Sequence, residues 1–138
     1  MKEQRVFIEG PLPGMNHMID AAKIKRGKFN KYAKEKKEWE ERVALVCKAH
    51  GIKRIEGRVY FDFIWYEKNK RRDPDNIAAG KKFILDAFVK VGVLPDDNWK
   101  WVAGFKDRFC VANNGKRPGV LVIMKCNGNG NSNGENKS

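Results

Sequence analysis

Long apolar runs are missing from this chain, and no segment approaches the roughly 18 consecutive apolar residues that a membrane span needs. The opening Met1-Lys2-Glu3-Gln4-Arg5 is too polar for a secretory signal. Both absences point to a cytoplasmic protein. Cysteine is scarce and odd in number: Cys47, Cys110 and Cys126 lie far apart, with no Cys-x-x-Cys pair. His17 and His50 are the only histidines, so a disulfide framework and a zinc site are both excluded and reduced thiols remain. Neither histidine sits in a motif that nominates it as a general base.

Acidic residues are also in the minority, 17 Asp and Glu against 29 Lys and Arg, and the formal net charge is +12. Such a chain attracts polyanions and binds them in a salt-dependent way. The excess is regional, with 12 basic and four acidic residues between Lys23 and Arg54. A solvated helix face explains part of this, and an anionic membrane surface would require an amphipathic anchor that is not evident. A second basic cluster, Lys68 to Arg72, abuts a pair of carboxylates and favours nucleic acid as the partner.

Residues 4 to 9 alternate around Val6 and Ile8 and run into Gly10-Pro11-Leu12-Pro13-Gly14, predicting a short strand that ends in a rigid turn. Met15 to Lys28 is polar, basic and poorly periodic, and reads as a loop able to order on DNA. From Asn30 to His50, the residues Tyr32, Trp39, Val43 and Val46 recur at helical spacing, with Gly51 as the stop. Residues 57 to 66 alternate as a strand, with Val59, Phe61, Phe63 and Trp65 on one face. A second helix is expected from Ala78 to Val91, with Ile84, Ala87, Phe88 and Val91 as its apolar stripe and Gly92 as its end.

Alternation returns over residues 98 to 110, with Trp99, Trp101, Ala103 and Phe105 on one side. After the turn Asn113-Asn114-Gly115-Lys116, the segment Val120 to Lys125 supplies a fourth strand, and the last two strands are expected to form a hairpin. The order β-α-β-α-β-β predicts the α+β class, a single compact domain over residues 1–126 whose four-stranded mixed sheet carries the helices. The Asn/Gly-rich tail, residues 127–138, has no apolar residue to bury and is expected to be disordered.

The chemistry-bearing residues follow the strand ending near 66, in Lys70-Arg71-Arg72-Asp73-Pro74-Asp75-Asn76. Period-two geometry turns the Asp73 and Asp75 carboxylates to the same side, and Pro74 keeps Asp73 out of the helical region. Two converging carboxylates with a third suit Mg²⁺, which takes hard oxygen ligands in octahedral geometry. Asp96 or Asp97 can supply the third from Leu94-Pro95-Asp96-Asp97. The bland alternative is specific: Asp73 as an N-cap with Pro74 at N1, or Asp75 as the cap, and Asp96-Asp97 as an acidic turn. Against it, gathered like charges cost free energy unless a cation offsets them. Lys82 lies seven residues after Asp75 and four before Asp86, so on one continuous helix all three share a side. An ammonium there can stabilise charge on a phosphate; otherwise Lys82 and Asp86 form a surface pair of little worth.

Taken together, Arg71-Arg72-Asp73-Pro74-Asp75-Asn76, Lys82-Phe83-Ile84-Leu85-Asp86-Ala87-Phe88 and Gly92-Val93-Leu94-Pro95-Asp96-Asp97 resemble the pattern Arg-Asp-x-Asp-Asn, Lys-x-x-x-Asp-Ala-Leu, Gly-x-x-x-Asp-Asp of the RusA family of Holliday junction resolvases. The resemblance is specific over residues 71 to 97 and looser over Gly10 to Gly14 and the basic loop that follows. It implies a homodimeric, Mg²⁺-dependent endonuclease, with Mn²⁺ able to substitute, from a bacterial or phage-infected cell, nicking two strands of a four-way junction symmetrically. By motif, Asp73, Asp75 and Asp97 match the metal-binding carboxylates and Lys82 matches the family's essential lysine. The segment Ile77-Ala78-Ala79-Gly80-Lys81 is longer than the family pattern, which makes Lys81 a substitute for Lys82.

The expected contacts to DNA phosphates are Lys70, Arg71 and Arg72 with Lys23, Lys25, Arg26 and Lys28, reading junction shape rather than sequence. A two-fold dimer matches a four-way junction, and Phe7, Trp99 and Trp101 are candidates for its surface. Two competing readings stay open: a non-catalytic basic module that coats DNA, and a related Mg²⁺ nuclease acting on flaps, forks or RNA.

Overall fold

Along residues 2–113 and 115–126, which the computed structural model describes, the chain forms β1 (Lys2–Glu9), α1 (Met15–Ala22), β2 (Lys25–Arg26), β3 (Phe29–Asn30), α2 (Lys31–Ala49), β4 (Val59–Glu67), α3 (Pro74–Ala78), α4 (Lys81–Lys90), β5 (Val102–Val111) and β6 (Gly119–Cys126). Four strands make one mixed sheet in the order β1-β6-β4-β5, so the α+β class read from the sequence holds. The tail at 127–138 and Asn114 of the expected turn lie outside the described residues.

The expected hairpin of the last two strands does not form. β5 pairs in parallel with β4, while β6 runs antiparallel between β4 and β1. Burial explains the choice. β6 carries the apolar run Val120-Leu121-Val122-Ile123-Met124, suited to a central strand flanked on both sides. β5 carries Lys106 and Arg108 and is mostly exposed, which suits an edge. The helical crossover through α3 and α4 brings β5 up parallel to β4, as βαβ geometry requires.

Three local expectations are also corrected. Met15 to Lys28 is not a loop: it holds α1, which buries Met18 and Ala21, and the small β2–β3 hairpin turning at Gly27. Tertiary packing makes this short helix, which its propensity alone could not. The helix expected over 78–91 is divided at Ala79-Gly80 into α3 and α4. The third long strand begins at Val102, and a register shift opposite Val59/Tyr60 breaks the alternation, leaving Trp99 outside the sheet and 90% exposed.

Helix ends follow the sequence signals closely. The Asn30 side chain caps α2 by accepting from Ala33 N at 3.1 Å. Gly51 and Gly92 adopt positive φ after α2 and α4, where Ile52 N donates to Cys47 O and Val93 N to Phe88 O at 2.9 Å each.

The core lies on one face of the sheet. Val59, Phe61, Phe63 and Trp65 of β4 join Val6 and Ile8 of β1, Val122 and Met124 of β6, and the inner residues of α2 and α4. Their rings stack in series, Phe61 on Phe63 at 5.8 Å and Phe63 on Trp65 at 5.6 Å, with Phe88 and Phe105 closing on Phe61 at 6.3 and 6.1 Å. Among the described residues, no helix is long and apolar enough to cross a membrane.

Burial in this core pushes the Cys47 thiol from 9.0 up to about 11. The folded chain keeps a proton that the unfolded chain releases, so this contribution to stability is complete below the lower value and is lost as pH rises through the higher one. At neutral pH a maleimide reagent is expected to modify exposed Cys110 in the native protein and to reach Cys47 only after unfolding, as read by mass spectrometry of labelled peptides. Rapid native labelling of Cys47 would contradict the packing.

Candidate active site

The last residue of β4, Glu67, continues the inward-facing series Val59 to Trp65, which places a carboxylate where the strand pattern anticipates an apolar side chain. Arg72 answers it with a bidentate pair, Nε donating to Oε1 at 3.0 Å and Nη2 to Oε2 at 2.7 Å. Its remaining nitrogen, Nη1, donates to Leu12 O at 3.0 Å. Arg72 therefore ties the Gly10–Gly14 turn to the end of the sheet. The packing there leaves no room for a side chain at residue 14: a Cβ on Gly14 would stand 2.7 Å from Asn76 Oδ1 and 2.9 Å from Arg72 Nη1. Asn76 Oδ1 also accepts from Asn16 N at 3.0 Å, so the start of α1 and the start of α3 are joined.

This latch sets the position of the acidic pair. Asp73 is extended at φ −74° and ψ 151° and occupies the N-cap of α3, with Pro74 opening the helix. The extended Asp73-Pro74-Asp75 geometry expected from the sequence thus ends at Asp73, since Asp75 is already helical. The Asp73 side chain nevertheless makes no capping bond, and Asp75 accepts only from the adjacent Asn76 N at 2.9 Å. Both carboxylates are exposed, beside the exposed Lys70 and Arg71.

Asp96 and Asp97 lie elsewhere. Asp96 accepts from Asp97 N at 2.8 Å and from Asn98 Nδ2 at 3.1 Å, an acidic turn leading to Trp101, whose carbonyl accepts from Val59 N. Val59 begins β4 and Asp73 follows its end; nine residues of strand at about 3.3 Å each separate the two ends by roughly 25 Å. Among the described residues, no three His, Cys, Asp or Glu side chains lie close enough to hold a metal ion together. Within one chain, Asp73, Asp75 and Asp97 do not fit the three-ligand Mg²⁺ site expected from the sequence.

The break at Ala79-Gly80 also separates the roles of the two lysines. Lys82 does not inherit the alignment with Asp75 that a continuous helix would give; its side chain is 62% exposed and pairs with Asp86 at 3.5 Å. Asp86 also meets Lys36 of α2 at 3.3 Å. Lys81 turns the other way, toward β5, where its Nζ lies 2.7 Å from Asp107 Oδ2. Trp65 Nε1 donates to Asp107 Oδ1 at 2.9 Å. Asp107 was not singled out from the sequence, although an acid two residues after Phe105 on the apolar side of a strand was the available signal. The basic-loop residues Lys23, Lys25, Arg26 and Lys28 are exposed on and around the β2–β3 hairpin.

A scan against protein-family models found no match to this chain, and a search of the curated proteins found none. The site is an exposed acidic pair just beyond the C-terminal end of β4, in a basic α+β domain.

Arg72→Ala strips Glu67 and Leu12 O of their partner and is expected to cost about 2 kcal/mol of stability, seen as a lower urea midpoint. Arg71→Ala removes an exposed side chain and is expected to change stability by less than about 0.5 kcal/mol. An unchanged midpoint for Arg72→Ala would contradict its role in tying the turn to the sheet.

Proposed function

We propose that this protein is a Mg²⁺-dependent, structure-selective endonuclease that resolves four-way DNA junctions by paired symmetric nicks, acting as a homodimer in the cytoplasm of a bacterial or phage-infected cell. One observation carries the reading: the exposed Asp73-Pro74-Asp75 pair, not spent on capping, stands beside Lys70 and Arg71 in a chain of net charge +12. Acids left uncompensated on a basic surface suit a cation and a phosphodiester better than they suit the fold. The pair lies just beyond the C-terminal end of a strand in a parallel pair, where open sheets with helical crossovers commonly bind their ligands. Lys70, Arg71 and the β2–β3 hairpin supply the cationic surface for DNA phosphates. Charge developing on the attacked phosphate needs a fixed cationic donor, for which the motif names Lys82 and Lys81 stands in reserve.

The edge of the sheet supports a homodimer. β5 is ten residues long and unpaired on its outer side among the described residues, with Phe105 and Phe109 exposed and Trp99 at 90% exposure near its start. Phe7 and Trp101, the other candidates for a dimer surface, are half-buried. Two copies joined antiparallel through β5 would set the start of the strand in one beside its end in the other. Asp97 of one chain would then approach the acidic pair of its partner, which reconciles three motif carboxylates with their separation in a single chain.

The separation also favours a second reading, a non-catalytic DNA-binding module with metal-independent binding. Cleavage of a labelled four-way junction in Mg²⁺ or EDTA decides between them. Paired nicks that require Mg²⁺ and fall at least about 100-fold in Asp75→Asn are expected. Junction binding without cleavage, across a panel of junction sequences and with Mn²⁺ as well, would support the module; cleavage confined to flaps, forks or RNA would support the related nuclease.

Mixing tests the assembly. Each chain of an Asp75→Asn/Asp97→Asn heterodimer keeps what the other lacks, so sites built across the two-fold axis leave one intact and restore single-strand nicking. Sites built within one chain would leave the mixture as inactive as its components.

A further inference from the structure

We propose that Lys81 is the phosphate-binding lysine of this site and that Asp107 and Trp65 position it; the inference rests on the nuclease reading and names two residues outside the motif run. An ordinary surface lysine carries a mobile ammonium on a flexible stem. Lys81 does not. Its Nζ is 2.7 Å from Asp107 Oδ2, 4.5 Å from the Phe105 ring centroid and 5.3 Å from that of Phe63. The two charged side chains are only 18% and 23% exposed. Trp65 Nε1–H occupies the other Asp107 oxygen at 2.9 Å, so both ends of the carboxylate have a fixed partner and the plane of the group is set. An ammonium has three N–H donors; one goes to Asp107 and two remain for an incoming oxygen.

Stability is a poor explanation for this arrangement. A mostly buried ion pair gains little over well-packed apolar side chains of the same volume, because both charges give up their hydration. Asp107 lies on the covered face of β5, two residues from Phe105 and opposite Phe63, where an apolar residue would pack without that cost. The pair holds a charge in place more effectively than it holds the sheet together.

Location completes the argument. Lys81 is the first residue of α4, directly after the break that ends α3, and α3 begins at the Asp73-Pro74-Asp75 pair. Lys82, one step of about 100° around the helix, is directed to Asp86 and the α2 side. Because Asp107 balances the charge of Lys81, the pair adds little long-range attraction for DNA. Its effect is a short-range hydrogen bond to the reacting phosphate, felt in the chemical step more than in binding.

The test is single-turnover cleavage of a labelled four-way junction by the full chain in Mg²⁺, with junction affinity measured separately in EDTA, for Lys81→Met, Asp107→Asn, their double mutant and Lys82→Met. Lys81→Met is expected to slow cleavage about 100-fold with affinity changed less than about 3-fold. Asp107→Asn keeps the side-chain shape and is expected to slow cleavage about 10-fold, and the double mutant to be no slower than Lys81→Met, since Asp107 acts through Lys81. Lys82→Met is expected to cost no more than about 5-fold. Circular dichroism and urea midpoints separate loss of fold from loss of chemistry, and Lys81→Arg, which keeps the charge, is expected to recover part of the rate. Near-normal cleavage by Lys81→Met with a dead Lys82→Met would overturn the assignment and leave the nuclease standing. Additive losses in the double mutant would remove Asp107 as a positioning residue. A wild-type protein that binds junctions and never cleaves them would overturn both readings together.

Discussion

The parallel pairing of β4 with β5 is the constraint on which the rest of the structure depends. It requires a crossover, and the crossover is α3 and α4. It puts Asp73 and Asp75 at one end of β4 and Asp97 at the other, because a helix that returns along a strand delivers the following loop to that strand's start. It also makes β5 an edge, and through Phe105 and Asp107 it gives Lys81 both a ring to lie over and a carboxylate to meet. Had β5 turned back as a hairpin on β6, β4 would have lost this neighbour and Lys81 its partner.

The charges divide into two populations. One is paired with carboxylates: Arg72 with Glu67, Lys81 with Asp107, and Lys36, Lys82 and Lys90 with Asp86 and Glu40 along α2 and α4. In this group burial works against the charge of Lys36, yet the carboxylates of Asp86 and Glu40 more than offset it and hold its pKa above 10.5. The other population is exposed and makes no ion pair among the described residues, including Lys70, Arg71, Lys23, Lys25, Arg26 and Lys28. A net charge of +12 overstates how much of the chain is disposed to meet a polyanion, since several cations face inward acids. Part of what remains outward lies at the β2–β3 hairpin and next to the acidic pair, and part on α2 and β5, at Lys37, Lys48, Lys106 and Arg108.

Much of the secondary structure was legible along the chain because it rests on local chemistry. The alternation of Val59 to Trp65, the apolar stripe of α4 and the stops at Gly51 and Gly92 each need only a few neighbouring residues to act. Met15 to Ala22 was not legible as a helix because eight residues cannot hold one in water without the tertiary contacts of Met18 and Ala21. In the candidate site, Asp73 and Asp75 were legible as a pair because the motif is contiguous. The tie that Arg72 makes to Glu67 and Leu12 was not legible, because those partners are five and 60 residues away, beyond the reach of any local pattern.

By itself the amino-acid sequence determined the class of fold, the strand and helix identities of its strongly periodic segments, the basic character of the chain and the presence of an acidic pair beside basic residues. These follow from side-chain chemistry and from periods of two and 3.6 residues, which are properties of neighbours. Tertiary structure alone decided which strands lie side by side, which of two adjacent lysines turns to β5, and that Asp97 stands apart from Asp73 and Asp75 within one chain. Those outcomes depend on which strand can bury both faces and which can tolerate an open edge, a competition among all four strands that no single segment encodes.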